Sequence, residues 1–420
     1  MRGASSSEDV APSGNLTGAT FPDGLTSVSA LLWTGETTRY AALPSAQRPA
    51  FLVPLGPRRV TTAALRGLPR LSSLPTTVRG VVAAIAGQSG ALRLWPHQVT
   101  VEDPGARGSL LQHLSTSLRL PLTASARFGP PRANRKPVLE LLDRRGRTIA
   151  FAKVGWNELT ARLVRQEAEA LRMLEARHLH HLVSPRVLAN GTWDGLEYLL
   201  LSPVDTVASG DPGVRTRRAA MLELARTFEG RAVALSESPY WSRLLSSLQS
   251  LSGAGGARLW GFAERVDAAA DRIRIIPSAW HGDWTPWNMT TQGDTAVVWD
   301  WERFECDVPI GFDALHFTFH HAVRRDGLTP SEAIRQLAVR APELLEPFRV
   351  ATAEAPAVVV LYLLHLGHRH VRDGQEEAGA KKGPLVTWLL SELDELVSSL
   401  VDLPGPPSSR TAPSVDPGQP

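Results

Sequence analysis

One cysteine in 420 residues, Cys306, excludes an intramolecular disulfide and suits a reducing compartment. Lysine is nearly as scarce. Lys136, Lys153, Lys381 and Lys382 stand against 41 arginines, so a lone lysine in an apolar strand is conspicuous. No apolar run is long enough to cross a bilayer; the longest, Ala355 to Leu366, fits a buried helix. Met1 to Thr26 lacks the basic start and apolar core of a signal peptide, which sets the cytoplasm as the expected location. Net charge is only +3, but it is unevenly spread. Residues 1–150 carry 18 Lys+Arg against 8 Asp+Glu, and the rest of the chain 27 against 34. The basic front is compatible with nucleotide phosphates. No reading motif or aromatic-basic interleaving accompanies it, so nucleic acid is not an expected partner.

What is present is concentrated in His281-Gly282-Asp283-Trp284-Thr285-Pro286-Trp287-Asn288, followed by Asp300-Trp301-Glu302. Phosphoryl transfer needs one carboxylate to take or orient the acceptor's hydroxyl proton, and oxygen ligands to hold Mg²⁺ on the nucleotide phosphates. Asp283 fits the first role, Asn288 and Asp300 the second. The four-residue gap lets a tight loop bring Asp283 and Asn288 to one side. The apolar runs Ile275 to Trp280 and Thr295 to Trp299 read as short β-type segments that brace the loops.

His-Gly-Asp-x-x-x-x-Asn followed by Asp-Trp-Glu resembles the aminoglycoside phosphotransferase and choline kinase-like family. The resemblance implies an α+β, two-lobed protein-kinase-like fold: a small β-sheet N-lobe with one helix and a mainly helical C-lobe. It also implies ATP and Mg²⁺ as cofactors and a small-molecule hydroxyl acceptor of the sugar, amino alcohol or aminoglycoside class. Protein kinases are the weaker match. Gly282 stands in place of the arginine of His-Arg-Asp, Trp301-Glu302 in place of Phe-Gly, and no Ala-Pro-Glu segment follows.

Five regions are expected: a disordered start at 1–28, an accessory region at 29–120, a kinase-like N-lobe at 121–203, a helical C-lobe at 204–403 and a disordered tail at 404–420. In the lobe, Leu122 to Phe128, Pro137 to Leu142 and Thr148 to Val154 read as strands, with a helix from Glu158 to about Arg177. Strand-like segments at Arg186 to Ala189 and Leu196 to Leu201 follow. Helices are then expected at Val214 to Phe228, Tyr240 to Leu251, Leu259 to Ile273, Phe312 to Arg324, Ala355 to Arg372 and Leu385 to Val401. The 29–120 region carries no assignable motif. Its helical stretches are Thr61 to Leu68 and Ser109 to Leu118.

By the same resemblance Lys153, at the end of the third strand, contacts the α/β-phosphates, and Glu167 on the next helix holds it. The main chain around Ser202 and Val204 reads the adenine edge. Gly129 to Lys136, the loop between the first two strands, departs from a Gly-x-Gly-x-x-Gly pattern; Arg132, Arg135 or Lys136 are candidates to supply side-chain charge instead. His281 is assigned a structural role, Glu302 either a metal or a bracing role, and Asp313 a role in fixing the catalytic loop. Trp284 and Trp287 are read as core packing beneath the loop, ahead of stacking on substrate. His316, His320, His321, His365, His368 and His370 are read as ordinary core or surface histidines. The alternative to an enzyme is a nucleotide-binding pseudokinase acting as a regulatory or scaffolding module. A hydrolytic metal site on His281, Asp283 and Asp300 lacks further ligands.

Overall fold

The computed structural model describes residues 28–67, 89–129, 133–204, 213–374 and 388–402. Both terminal segments expected to be disordered lie outside them, apart from Val28, as do Arg132 of the first loop and the start of the last expected helix. Contacts divide the described residues into two compact units. The first runs to Leu224 and takes in His281–Glu305; the second holds Ala225–Trp280 and the described residues from Cys306 onward, apart from the short segment around 377–379 that lies outside the description.

The first unit is built on one eight-stranded sheet. Helix α1 (Val28–Leu32) precedes β1 (Thr38–Leu43) and β2 (Phe51–Pro54), and α2 (Arg58–Arg66) leads to β3 (Gln98–Val101) and α3 (Leu110–Ser117). Then come β4 (Thr123–Arg127), β5 (Val138–Leu142), β6 (Thr148–Gly155), α4 (Glu158–Glu175), the short β7 (Leu182–Val183), β8 (Val187–Trp193) and β9 (Leu196–Leu201). The sheet order is β3-β1-β2-β4-β5-β6-β9-β8, and its paired strands are antiparallel. Pairing of β2 with β4, Phe51 opposite Arg127, carries the hydrogen bonding across residue 120.

Strand alternation divides this sheet into two unlike faces. Tyr40, Ala42, Leu52, Ala124, Ala126, Leu139, Leu141, Ala150, Ala152 and Leu200 form one buried core with Leu31 and Leu32 of α1 and Leu110, Leu111 and Leu114 of α3. Their neighbours in sequence point the other way. Ala41, Val53 and Leu142 pack with Val60, Ala64 and Leu65 of α2, while Lys153 faces α4. Helix α4 starts at a capping box in which the Asn157 side chain accepts the Thr160 N–H and the Thr160 hydroxyl answers the Asn157 N–H. Its buried stripe contains Leu163, Val164, Ala168, Leu171 and Leu174, with Glu167 among them.

Beyond α5 (Gly213–Thr227), the second unit holds α6 (Pro239–Gln249), α7 (Gly253–Asp267), α8 (Phe312–Arg324), α9 (Pro330–Leu345), α10 (Ala355–Arg372) and α11 (Leu390–Val401), with the short strands β10 (Val233–Ala234), β11 (Arg274–Ile275) and β12 (Pro277–Trp280). The chain returns to the first unit with β13 (Met289–Gln292) and β14 (Thr295–Val298), and β15 (Glu305–Pro309) pairs with β12. Among the described residues no helix is long and apolar enough to cross a membrane. The α+β class and the helix-rich second half match expectation. Helix α7 starts six residues earlier than expected because glycines there are tolerated in its first turn, and α9 is an addition.

Candidate active site

The loop from His281 to Asn288 is fixed by main-chain bonds. His281 is fully buried, its Nε2 is 3.1 Å from the Trp299 carbonyl, and its Nδ1 accepts the Asp283 N–H at 3.1 Å. Those partners assign the proton to Nε2. Burial lowers its pKa to about 4, against the pull of the Asp283 and Asp300 carboxylates, so the ring is neutral at pH 7. Gly282 has φ +81°, and a Cβ there would lie 2.1 Å from the Arg303 carbonyl oxygen, which explains glycine in place of a larger residue. Trp284 is buried and donates its indole N–H to the Met289 sulfur at 3.2 Å. Trp287 is 47% exposed, so the packing expectation holds for the first tryptophan and fails for the second, whose ring reaches solvent.

Asp283 and Asn288 meet as the spacing implied. The Asn288 amide donates to Asp283 Oδ2 at 2.9 Å and to its carbonyl at 3.0 Å. The β13–β14 hairpin sets Met289 opposite Val298, and the Trp299 N–H donates to the Asn288 carbonyl at 3.0 Å. Asn288 therefore sits across from the residue that precedes Asp300.

Lys153 is the centre of the second cluster. Its Nζ donates to both Glu167 oxygens at 2.6 Å and to Asp300 Oδ1 at 2.5 Å. Glu167 is fully buried and also accepts the Trp301 N–H at 3.2 Å, which ties α4 to the loop after β14. Asp300 has φ 73°, ψ 52°, a left-handed conformation that costs a non-glycine residue energy and is usually kept for function. Burial opposes ionisation of its carboxyl, but the ammoniums of Lys153 and Lys136 outweigh burial and hold it below the usual carboxylate range. Burial likewise pulls Lys153 down, and Asp300 and Glu167 reverse the shift to a net rise.

Glu302 lies beside this cluster with its side chain 5% exposed. It accepts the Lys136 ammonium on one oxygen and the Asn134 amide, at 3.2 Å, on the other. Carboxylate oxygens of Glu167, Asp300 and Glu302 lie within 4.8 Å of one another, a hard oxygen set of the kind Mg²⁺ takes. With Asn288 Nδ2 engaged by Asp283, its Oδ1 is the atom suited to the same cation. The residues present fit a magnesium-bound nucleotide.

The remaining expectations fall as follows. Ser202 donates its N–H to the Arg186 carbonyl and accepts the Arg186 N–H on its hydroxyl, both at 2.9 Å. Val204 is half-buried at the end of a described segment. Asp313 is buried in the first turn of α8, in the second unit. His316, His365, His368 and His370 are buried, His316 Nδ1 lying 3.1 Å from the Tyr362 hydroxyl and His365 stacked on Tyr240. Among the described residues none of the histidines joins a group of three or more ligating atoms. Sequence reasoning did not foresee the Lys136–Glu302 contact. Lysine scarcity was its one available signal.

No family model matches the chain, and no curated protein matches it in sequence. Among solved structures it is similar to a thermostable mutant of aminoglycoside phosphotransferase APH(4)-Ia, apo form: 15% identity, 69% of this chain and 99% of that one, TM-score 0.46. A putative fructosamine-3-kinase from Haemophilus somnus 129PT is 14% identical over 68% of this chain and 96% of its own, with a TM-score of 0.42. Amicoumacin kinase in complex with AMP-PNP and Ca²⁺ gives 11% identity, 70% and 95% coverage, and a TM-score of 0.42.

Proposed function

We propose that this chain is an ATP-dependent phosphotransferase of the cytoplasm that moves the γ-phosphate to a hydroxyl of a small molecule. The observation that carries this reading is the Lys153 ammonium shared between Glu167 and Asp300. One carboxylate balances the charge of Lys153 with two bonds. Its third bond goes to an aspartate in a costly left-handed conformation of the kind usually kept for function, and an ammonium between two carboxylates suits phosphates bound beside a cation.

In this reading ATP·Mg²⁺ supplies the phosphoryl group and much of the neutralising charge. Lys153 binds phosphate oxygens, and Glu167 fixes its Nζ. Asp300 and the Asn288 side-chain Oδ1 would hold the cation. Asp283 takes or orients the acceptor's hydroxyl proton, and the bond from Asn288 fixes its carboxylate for that task. His281, neutral and bonded at both ring nitrogens, shapes the loop and moves no proton. Ser202 and Val204 offer main chain to the adenine edge. Trp287, exposed between Asp283 and Asn288, presents an aromatic face that favours a sugar or a cationic acceptor.

The pseudokinase reading draws on one observation, the closure of the β4–β5 loop onto Glu302 by Lys136 and Asn134. Phosphate transfer from ATP·Mg²⁺ to a panel of sugars, amino alcohols and aminoglycosides separates the two. Turnover of at least one acceptor is expected, cut roughly 10²- to 10⁴-fold in Asp283→Ala. ATP binding without transfer to any acceptor favours the pseudokinase. No ATP binding ends both.

A further inference from the structure

Lys136 belongs to the same constellation and has no part in the chemistry above. Its loop, between β4 and β5, runs Phe128-Gly129-Pro130-Pro131-Arg132-Ala133-Asn134-Arg135-Lys136-Pro137. Three prolines have no N–H, so the loop is poor in the backbone donors that cradle phosphate elsewhere. Its described end is nonetheless firmly set. The Arg135 Nε donates to the Phe128 carbonyl, and the Trp156 indole to the Arg135 carbonyl, both at 2.8 Å. The Val154 N–H, one residue past Lys153, donates to the Pro137 carbonyl at 3.0 Å. These bonds carry the Lys136 ammonium, 8% exposed, onto Glu302.

The position is electrostatically expensive. Lys136 is buried in a cluster where Asp300 attracts it and Lys153 repels it. An apolar pair of similar volume is often as stable as a buried ion pair, so stability alone does not explain a second ammonium here. Two of the chain's four lysines thus converge on Asp300 and its neighbours in a protein that otherwise uses arginine. A compact ammonium on a flexible stem can change partners with little backbone motion.

We propose that Lys136 is a second phosphate-binding lysine, held by Glu302 and exchanged onto the phosphates of a bound nucleoside triphosphate. The β4–β5 loop then engages phosphate through side-chain charge, with the Asn134 amide beside it. This rests on the kinase reading.

The test is calorimetric binding of Mg·AMP-PNP and of adenosine to the full chain, compared as a ratio. The double variant Lys136→Met/Glu302→Gln leaves no unpaired carboxylate. It should lose roughly 10- to 100-fold in AMP-PNP affinity, the worth of one or two charge-assisted bonds, with adenosine unchanged. Glu302→Gln alone keeps Lys136 and should lose clearly less than the double variant; its own loss measures what the carboxylate contributes beside the cation. Should the double variant fail to fold, Lys136→Gln reads the same ratio. An unchanged ratio in the Lys136 variants overturns the proposal, as does an equal loss for both ligands. So does a loss in Glu302→Gln that matches the double variant. Wild-type protein that binds neither ligand removes the kinase reading and Lys136 together; wild-type binding with an unchanged variant removes Lys136 alone.

Discussion

The two faces of the eight-stranded sheet are made by the same strands and serve opposite ends. Along β6, Ala152 and Val154 turn toward α1 and α3 into an apolar core, and Lys153 between them turns toward Glu167 and Asp300. The same holds in β5, where Leu139 and Leu141 flank Glu140, whose carboxylate accepts the Ser125 and Thr148 hydroxyls. Burial raises the Glu140 pKa, and those two hydroxyls oppose the rise. One face is tolerant in kind, since apolar residues of suitable volume substitute for one another. The other carries, beside the apolar patch under α2, charges out of water, each dependent on a named partner. The region before residue 120 completes the first face: α1 and α3 bury it.

The comparison breaks most sharply at Lys153. Lys153→Met leaves Glu167 fully buried without its cation, so a stability loss of about 3–5 kcal/mol is expected, together with loss of nucleotide binding. Adding Glu167→Gln should recover most of the stability and none of the binding. Chemical denaturation and calorimetry on both variants check this. Recovery of binding in the double variant would mean that the front face holds charge for packing alone.

On the opposite face, Leu114→Ala in α3 removes a fully buried side chain from the apolar core. About 2–5 kcal/mol of stability should be lost. Turnover per folded molecule should be unchanged, because α3 packs on the face of the sheet opposite to Lys153. A fall in kcat measured well below the unfolding transition would show that the back face positions Lys153 as well as covering it.

What the sequence made legible follows from separation along the chain. Asp283 and Asn288 are five residues apart and the loop between them is short, so their meeting was written in the spacing. Lys153 and Glu167 lie on consecutive elements, a strand and the helix after it, and strand ends feed helix faces in few ways. Lys136 and Glu302 are 166 residues apart, and only tertiary folding brings them together. Strand β1 escaped because it is buried over three consecutive residues, Tyr40 to Ala42, which hides the alternation that marks a strand, and β3 is only four residues long. Helix α9 was overlooked although Thr329-Pro330-Ser331-Glu332 is a capping box with proline at the first turn, and the structure shows both of its bonds.

The smallest expected effect separates position from stability on the front face itself. In Asn157→Ala, helix α4 loses the side-chain acceptor that holds the Thr160 N–H at 2.8 Å, at a cost of about 1 kcal/mol. Glu167 lies nearly three turns further on. It is anchored there by Lys153 and by the Trp301 N–H, so fraying of the first turn should not reach it. Nucleotide affinity should therefore change less than about threefold, within the fraction of a kcal/mol by which distant sites couple. Thermal denaturation and calorimetry on one preparation give both numbers. If affinity falls much further than that, Glu167 is positioned by the capped end of α4 and not by its own partners. The front face would then depend on helix placement as much as on the ion pairs it displays.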